Sequence, residues 1–213
     1  MQDLTNRSNL VLEAIEKARE GKERILVALT GAPASGKSTL SEELLRRLTL
    51  SKIPAAVVPM DGFHLDNAIL DEMGMRPRKG APETFDAQGF IEMIRRLRAG
   101  GQVFHPTFDR TRDLSIAGSG YVPANCQVVI VEGNYLMFDE APWRDLADLW
   151  DLTIRWDVPL PELRARLLQR WLSLNHSRAN ALRRAESNDV PNAIRVIERA
   201  LPCDITLDGV NGN

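Results

Sequence analysis

The eight residues Gly31-Ala32-Pro33-Ala34-Ser35-Gly36-Lys37-Ser38 constrain this chain more than any other segment, because they follow the pattern G-x-x-x-x-G-K-[ST] between two opposite periodicities. Before them, Ile25-Leu26-Val27-Ala28-Leu29 is continuously apolar, as in a strand buried on both faces of a parallel sheet. After them, Leu40, Leu44, Leu45 and Leu48 recur at helical spacing. Strand, glycine turn and helix in that order form an anion cradle: backbone N–H groups face inward and the helix adds its positive N-terminus. Gly31 to Thr39 are the expected phosphate-binding residues, with Lys37 reaching the β- and γ-phosphates and Ser38 a ligand of Mg²⁺.

The rest of the chain alternates in the same way. Leu10, Ala14, Ile15 and Ala18 mark a leading amphipathic helix that Gly21 stops. Further strands are expected at Ala55 to Val58, Val128 to Val131, Leu152 to Val158 and Ile205 to Leu207, with helices at Phe90 to Leu97 and Leu160 to Leu174. That alternation predicts an α/β fold with a parallel sheet, and residues 1–213 are expected to form one domain. Asp71 to Asp86, rich in Gly, Pro and charge, reads as a functional loop.

Two acids follow strand candidates: Asp61 in Val57-Val58-Pro59-Met60-Asp61-Gly62-Phe63-His64, and Glu132 in Val129-Ile130-Val131-Glu132-Gly133. Ligands of open parallel sheets gather at the carboxyl ends of the strands, so both acids are expected at the phosphate site. Asp61, on a glycine-containing turn, is the expected general base for an attacking hydroxyl, and Glu132 the expected Mg²⁺ residue.

Composition narrows the partners. With 213 residues and a net charge of -2, the chain has no diffuse basic surface for nucleic acid. No apolar run approaches the about 20 residues that span a bilayer, and the polar opening MQDLTNRSNL has no signal-like apolar core, so no membrane insertion and a cytoplasmic location are expected. Cys126 and Cys203, far apart, read as inert thiols, and the four tryptophans Trp143, Trp150, Trp156 and Trp171 as core or interface anchors. Nothing specifies oligomeric state, which leaves a homodimer open.

Taken together these residues resemble the phosphoribulokinase and uridine kinase family, which also contains bacterial pantothenate kinases and fructose-transport-associated kinases. Met60-Asp61-Gly62-Phe63-His64-Leu65-Asp66-Asn67 and Arg78-Lys79-Gly80-Ala81-Pro82-Glu83-Thr84-Phe85-Asp86 are similar to pantothenate kinase segments. His105-Pro106-Thr107-Phe108-Asp109 with Arg112 is similar to the uridine kinase P-T-Y-D segment, although Phe108 stands where that segment has tyrosine. The overall pattern, including Ser187-Asn188-Asp189-Val190-Pro191-Asn192-Ala193, is nearest to the fructose-transport-associated branch.

The resemblance implies a three-layer P-loop NTPase fold with a mostly parallel sheet and a helical lid at about 164–190. It implies an ATP- and Mg²⁺-dependent kinase acting on a hydroxyl of a small metabolite. A sugar such as fructose leads; a nucleoside such as uridine, or pantothenate, is the alternative, and a non-catalytic nucleotide-dependent regulator of a transporter is the rival from another class. Acceptor contacts are expected from His64, Arg78, Lys79, His105, Asp109 and Arg112. Arg166 and Arg170, four apart on one helix face, are the expected catalytic arginines, Arg178 joins them in holding ATP, and Asn175-His176-Ser177 is the expected tip of the lid.

Overall fold

The computed structural model describes residues 2–174 and 177–209; Asn175 and His176 of the expected lid tip lie outside the described residues. In chain order it contains α1 (Gln2–Ala18), β1 (Ile25–Thr30), α2 (Lys37–Leu50), β2 (Ala55–Pro59), α3 (Asn67–Glu72), α4 (Ala87–Ala99), β3 (Val103–Asp109) and β4 (Leu114–Val122). There follow β5 (Val128–Gly133), β6 (Leu152–Asp157), α5 (Leu160–Ser173), α6 (Arg178–Arg184), α7 (Val190–Glu198) and β7 (Ile205–Asp208).

The five expected strands form one sheet in the order β2-β5-β1-β6-β7, every neighbouring pair parallel. All six residues of β1 are buried, which is why its sequence is an unbroken apolar run rather than an alternation. Burying each of its Ile, Leu and Val side chains is worth about 1.5–3 kcal/mol, which anchors the central strand firmly. Helices cover the sheet to make three layers. Val11 and Ile15 of α1 pack with Leu40, Leu44 and Leu48 of α2, while Phe90, Ile91, Ile94 and Leu97 of α4 pack beside the short 3-10 helix Trp143–Leu149. A second, smaller apolar cluster joins Leu167 of α5 to Ala185 and Val190.

The segment expected as a loop over Asp71 to Asp86 begins in the last residues of α3 and continues as short turns around two 3-10 helices, Arg76–Arg78 and Pro82–Thr84. Buried aromatics tether it: Tyr135 Oη donates to Gly80 O at 2.6 Å and Trp143 Nε1 to Pro82 O at 3.2 Å. Phe85 in turn meets both rings edge-on, with centroids 5.7 and 5.9 Å away.

The antiparallel hairpin β3–β4 was not anticipated. It stands apart from the main sheet, with a register irregularity between His105 and Thr107. The 3-10 turn Met60–Phe63 that follows β2 packs directly on it: a Cβ on Gly62 would lie 2.2 Å from Pro106 O and 2.6 Å from its carbonyl carbon. Only a residue without a side chain lets these two backbones meet.

Gly62→Ala is therefore expected to push the hairpin off the turn, with an overpacking cost of about 1–3 kcal/mol or more. Urea unfolding of the variant checks this, since an unchanged midpoint and slope would mean that the contact yields without cost.

Candidate active site

A cleft of about 280 Å³ opens at the carboxyl ends of the central strands, lined by the glycine turn and by Lys37, Ser38, Asp61, Arg110, Glu132, Asn134 and Arg170. β1 and β5 are adjacent and in register, Leu29 beside Glu132 and Thr30 beside Gly133, so the turn leaving β1 and the acid ending β5 emerge side by side. Ser38 Oγ donates to Glu132 Oε2 at 2.9 Å. Lys37 is buried and donates to Asn134 Oδ1 at 2.7 Å.

Part of the turn's backbone is left without internal partners. Ser35 N–H turns back to Ala32 O, and Thr39 and Leu40 N–H to Gly36 O, whereas the N–H groups of Gly36, Lys37 and Ser38 have no acceptor among the described residues. Gly36 sits at φ 99°, a left-handed conformation that favours glycine. Behind it, the Ser35 carbonyl accepts from Trp156 Nε1 and from Arg166 Nη1, both at 2.8 Å. Because a trans peptide is planar, holding the Ser35 oxygen to the rear directs the Gly36 N–H to the opposite side.

Arg166 is thereby placed differently from expectation. Its guanidinium lies against the rear of the turn, bridging Ser35 O, Gly209 O at 3.2 Å and Glu162 at 2.8 Å. Arg170, one helical turn later, does line the cleft. Arg178, exposed at the start of α6, is outside the cleft lining.

Asp61 faces the cleft, and its Oδ2 accepts from Arg110 Nη2 at 2.6 Å. Burial raises its pKa, but the positive charge that His64 carries when protonated, together with Arg110, Lys37 and Arg170, outweighs that, and the carboxyl titrates below its ordinary range. It is thus a carboxylate at neutral pH. Burial is the main cause that lowers Lys37, with Arg110 and Arg170 adding to it and Glu132 and Asp61 opposing.

The expected acceptor residues divide. His64 stands beside Asp61, its Nδ1 2.8 Å from Asp61 O, with its ring between Phe85 and Phe108 at 4.0 and 4.7 Å. That contact requires the proton on Nδ1, and burial lowers the ring's pKa, so the imidazole is neutral at pH 7. His105, expected in a loop, is buried in β3, where strand alternation sets it with Val103 on the inner face of the hairpin against Gly120. Asp109 spends its carboxylate on its own turn, accepting from Thr111 N and Oγ1 and from Arg112 N. Lys79 ties the hairpin to the preceding segment through Asn67 Oδ1 at 2.7 Å and Asp113 O at 2.9 Å. Arg78 and Arg112 are exposed, and neither lines the cleft.

Arg110, Asn134 and Trp156 are the site residues that reading the sequence missed. Arg110 lies between two residues that were singled out, Asp109 and Arg112, and nothing in its spacing separates it from a surface arginine.

The donor set fits a phosphate with Mg²⁺. Free turn amides and Lys37 answer to the anion, and the Ser38 hydroxyl and Glu132 carboxylate are hard oxygen donors. Among the described residues no three His, Cys, Asp or Glu side chains gather as a metal cage. Among them, too, no helix is long and apolar enough to cross a membrane.

Comparison with known proteins agrees. Residues 26–171 match the model of the phosphoribulokinase / uridine kinase family. The uncharacterised protein YggC of Escherichia coli (strain K12) is 34% identical over 187 residues, 87% of this chain and 78% of its own length. A Schizosaccharomyces pombe protein provisionally named uridine kinase C227.14 is 30% identical over 215 residues, 96% of this chain and 91% of its own. A crystal structure from Silicibacter sp. TM1040, of a protein provisionally named a fructose transport system kinase, is 48% identical, covers 96% of this chain and 98% of its own, and superposes with a TM-score of 0.88.

Trp156→Phe and Arg166→Gln each remove one donor from the Ser35 carbonyl and are expected to weaken binding of a non-hydrolysable ATP analogue by roughly tenfold, the value of one hydrogen bond. Calorimetric titration checks it; wild-type affinity in both variants would show that the turn keeps its shape unaided.

Proposed function

The chain belongs to the phosphoribulokinase / uridine kinase family of P-loop kinases, and from that premise we propose that it transfers the γ-phosphoryl group of ATP to a hydroxyl of a small sugar. The observation that carries this reading is the meeting, in one cleft, of Lys37, the Ser38–Glu132 pair and the Asp61 carboxylate. A regulator that only senses nucleotide has use for the first three and none for Asp61.

Each residue has a distinct part. Lys37 and the amides of Gly36, Lys37 and Ser38 hold the β- and γ-phosphates. Ser38 and Glu132 would hold Mg²⁺, which when bound supplies positive charge against the phosphate oxygens. Asp61 accepts the proton of the acceptor hydroxyl as its oxygen bonds to the γ-phosphorus, while the bond from that phosphorus to the bridging oxygen breaks and ADP leaves. Arg170 adds a cation where charge builds up on the transferring group. Residues 164–190 serve as a lid over the nucleotide, with Arg170 on its inner side and Arg166 as its anchor to the glycine turn.

A sugar acceptor leads because the 48% identical relative carries the name of a fructose transport system kinase and aligns with nearly the whole chain. A nucleoside stands second, on the name of the Schizosaccharomyces pombe relative, and pantothenate third, on the segment around Asp61.

ADP release measured across sugars, nucleosides and pantothenate tests this. Wild type is expected to turn over with a sugar, Lys37→Ala to lose nucleotide binding, and Asp61→Asn to bind ATP yet lose acceptor-dependent turnover by 10²-fold or more, roughly the contribution of a general base. Equal turnover by Asp61→Asn would remove Asp61 from the chemistry. ATP binding with no turnover on any acceptor would favour the regulator.

A further inference from the structure

The cleft holds three cationic side chains, Lys37, Arg110 and Arg170, against two carboxylates, Asp61 and Glu132. Nucleotide phosphates account for Lys37 and Arg170 under the reading above, and the metal for Glu132. Arg110 and Asp61 remain as a pair facing each other across the acceptor side.

Arg110 has no other counter-ion within its own turn. Asp109 is occupied by Thr111 and Arg112 amides, and Asp113 by Asn67 and Lys79. Its ion pair with Asp61 is partly open to solvent, with side-chain exposures of 58% and 26%, and carries little energy of its own. Yet the pair obstructs the base: a carboxylate that accepts a charged hydrogen bond at 2.6 Å is a weaker acceptor for a hydroxyl proton.

A neutral acceptor would leave that obstruction in place, since it offers the Arg110 guanidinium no other anion and the arginine stays on Asp61. An acceptor with its own anion changes the balance. The guanidinium fork suits carboxylate or phosphate oxygens, so Arg110 can exchange Asp61 for the substrate and free the base at the moment the hydroxyl arrives.

We propose that the phosphoryl acceptor carries an anionic group, a carboxylate or a phosphate monoester, close to its reactive hydroxyl, and that Arg110 is the residue that recognises it. This rests on the kinase reading and narrows its acceptor from sugars in general to acidic or phosphorylated ones. Arg110 belongs to the hairpin turn, and Gly62 lets that hairpin lie directly against the turn that carries Asp61, so binding of the anion and release of the base are coupled through one contact.

The test compares fructose, fructose 6-phosphate and gluconate by steady-state ADP release, in wild type and in Arg110→Gln and Arg110→Lys. Wild type is expected to prefer at least one of the two anionic compounds over fructose by about 10- to 100-fold in kcat/KM, the range of a hydrogen bond to a charged group. The two anionic arms separate a carboxylate from a phosphate. Arg110→Gln is expected to abolish that preference mainly by raising KM for the anionic acceptor, with Arg110→Lys restoring part of it. The inference fails if fructose is the best acceptor of wild type, if the preference persists in Arg110→Gln, or if that variant lowers kcat equally for all three, which would assign Arg110 to the transferring phosphoryl group. Turnover led by fructose, or with none of the three, ends this inference alone; no turnover with nucleosides or pantothenate either ends the kinase reading as well.

Discussion

The site depends on the parallel pairing of β1 with β5. Both strands are buried over nearly their whole length, and their register brings Thr30 level with Gly133, so the glycine turn and Glu132 leave the sheet at one point. The energy that fixes this point is hydrophobic and lies in the strands, not in the polar groups they deliver. A polar cluster of this kind could not hold itself together: the Ser38–Glu132 and Lys37–Asn134 contacts are single hydrogen bonds to a charged group, each worth about 1.5–3 kcal/mol net.

That division explains why a buried lysine is tolerated in the cleft. Desolvation disfavours the ammonium of Lys37, and the carboxylates of Glu132 and Asp61 offset part of the penalty. The surplus of cations over carboxylates keeps the cleft electrostatically unsatisfied until an anion enters it. Preorganised charge of this sort costs stability in the free protein and lowers the reorganisation needed when a phosphate binds.

Two supports outside the cleft complete the geometry. Trp156 and Arg166 grip the Ser35 carbonyl and so aim the Gly36 amide, and Arg166 does this from α5, which also carries Arg170 into the cleft. One helix therefore both braces the turn and supplies a cation to the cleft. On the other side, the β3–β4 hairpin rests on the backbone of Gly62 and carries Arg110 to Asp61. The glycine-turn side of the cleft and the Asp61–Arg110 side are thus supported by separate elements.

Periodicity and the glycine turn by themselves determined the strands of the parallel sheet, the helices α1, α2, α4 and α5 and the anion cradle, because unbroken apolar runs, 3.6-residue stripes and a glycine turn leave few other ways to satisfy the backbone, whereas α3, α6 and α7 went unread. Periodicity also put Asp61 and Glu132 at the strand ends, where a parallel sheet exposes them. Only the tertiary structure decided the rest. The hairpin went unread because Val103–Asp109 contains a proline and Leu114–Val122 two glycines, so neither shows a buried strand's pattern; what holds them is each other and the Met60–Phe63 turn. Arg166 and Arg170 share a helix face, yet one reaches the rear of the turn and the other the cleft, a difference made by Trp156 and the end of β7 rather than by spacing. Asp109 and Arg110 are adjacent, and the one that seemed the ligand closes its own turn while its neighbour pairs with Asp61. Local sequence specifies which groups are available; which of them meet is set by long-range packing, whose partners lie tens of residues away and leave no mark on the segment itself.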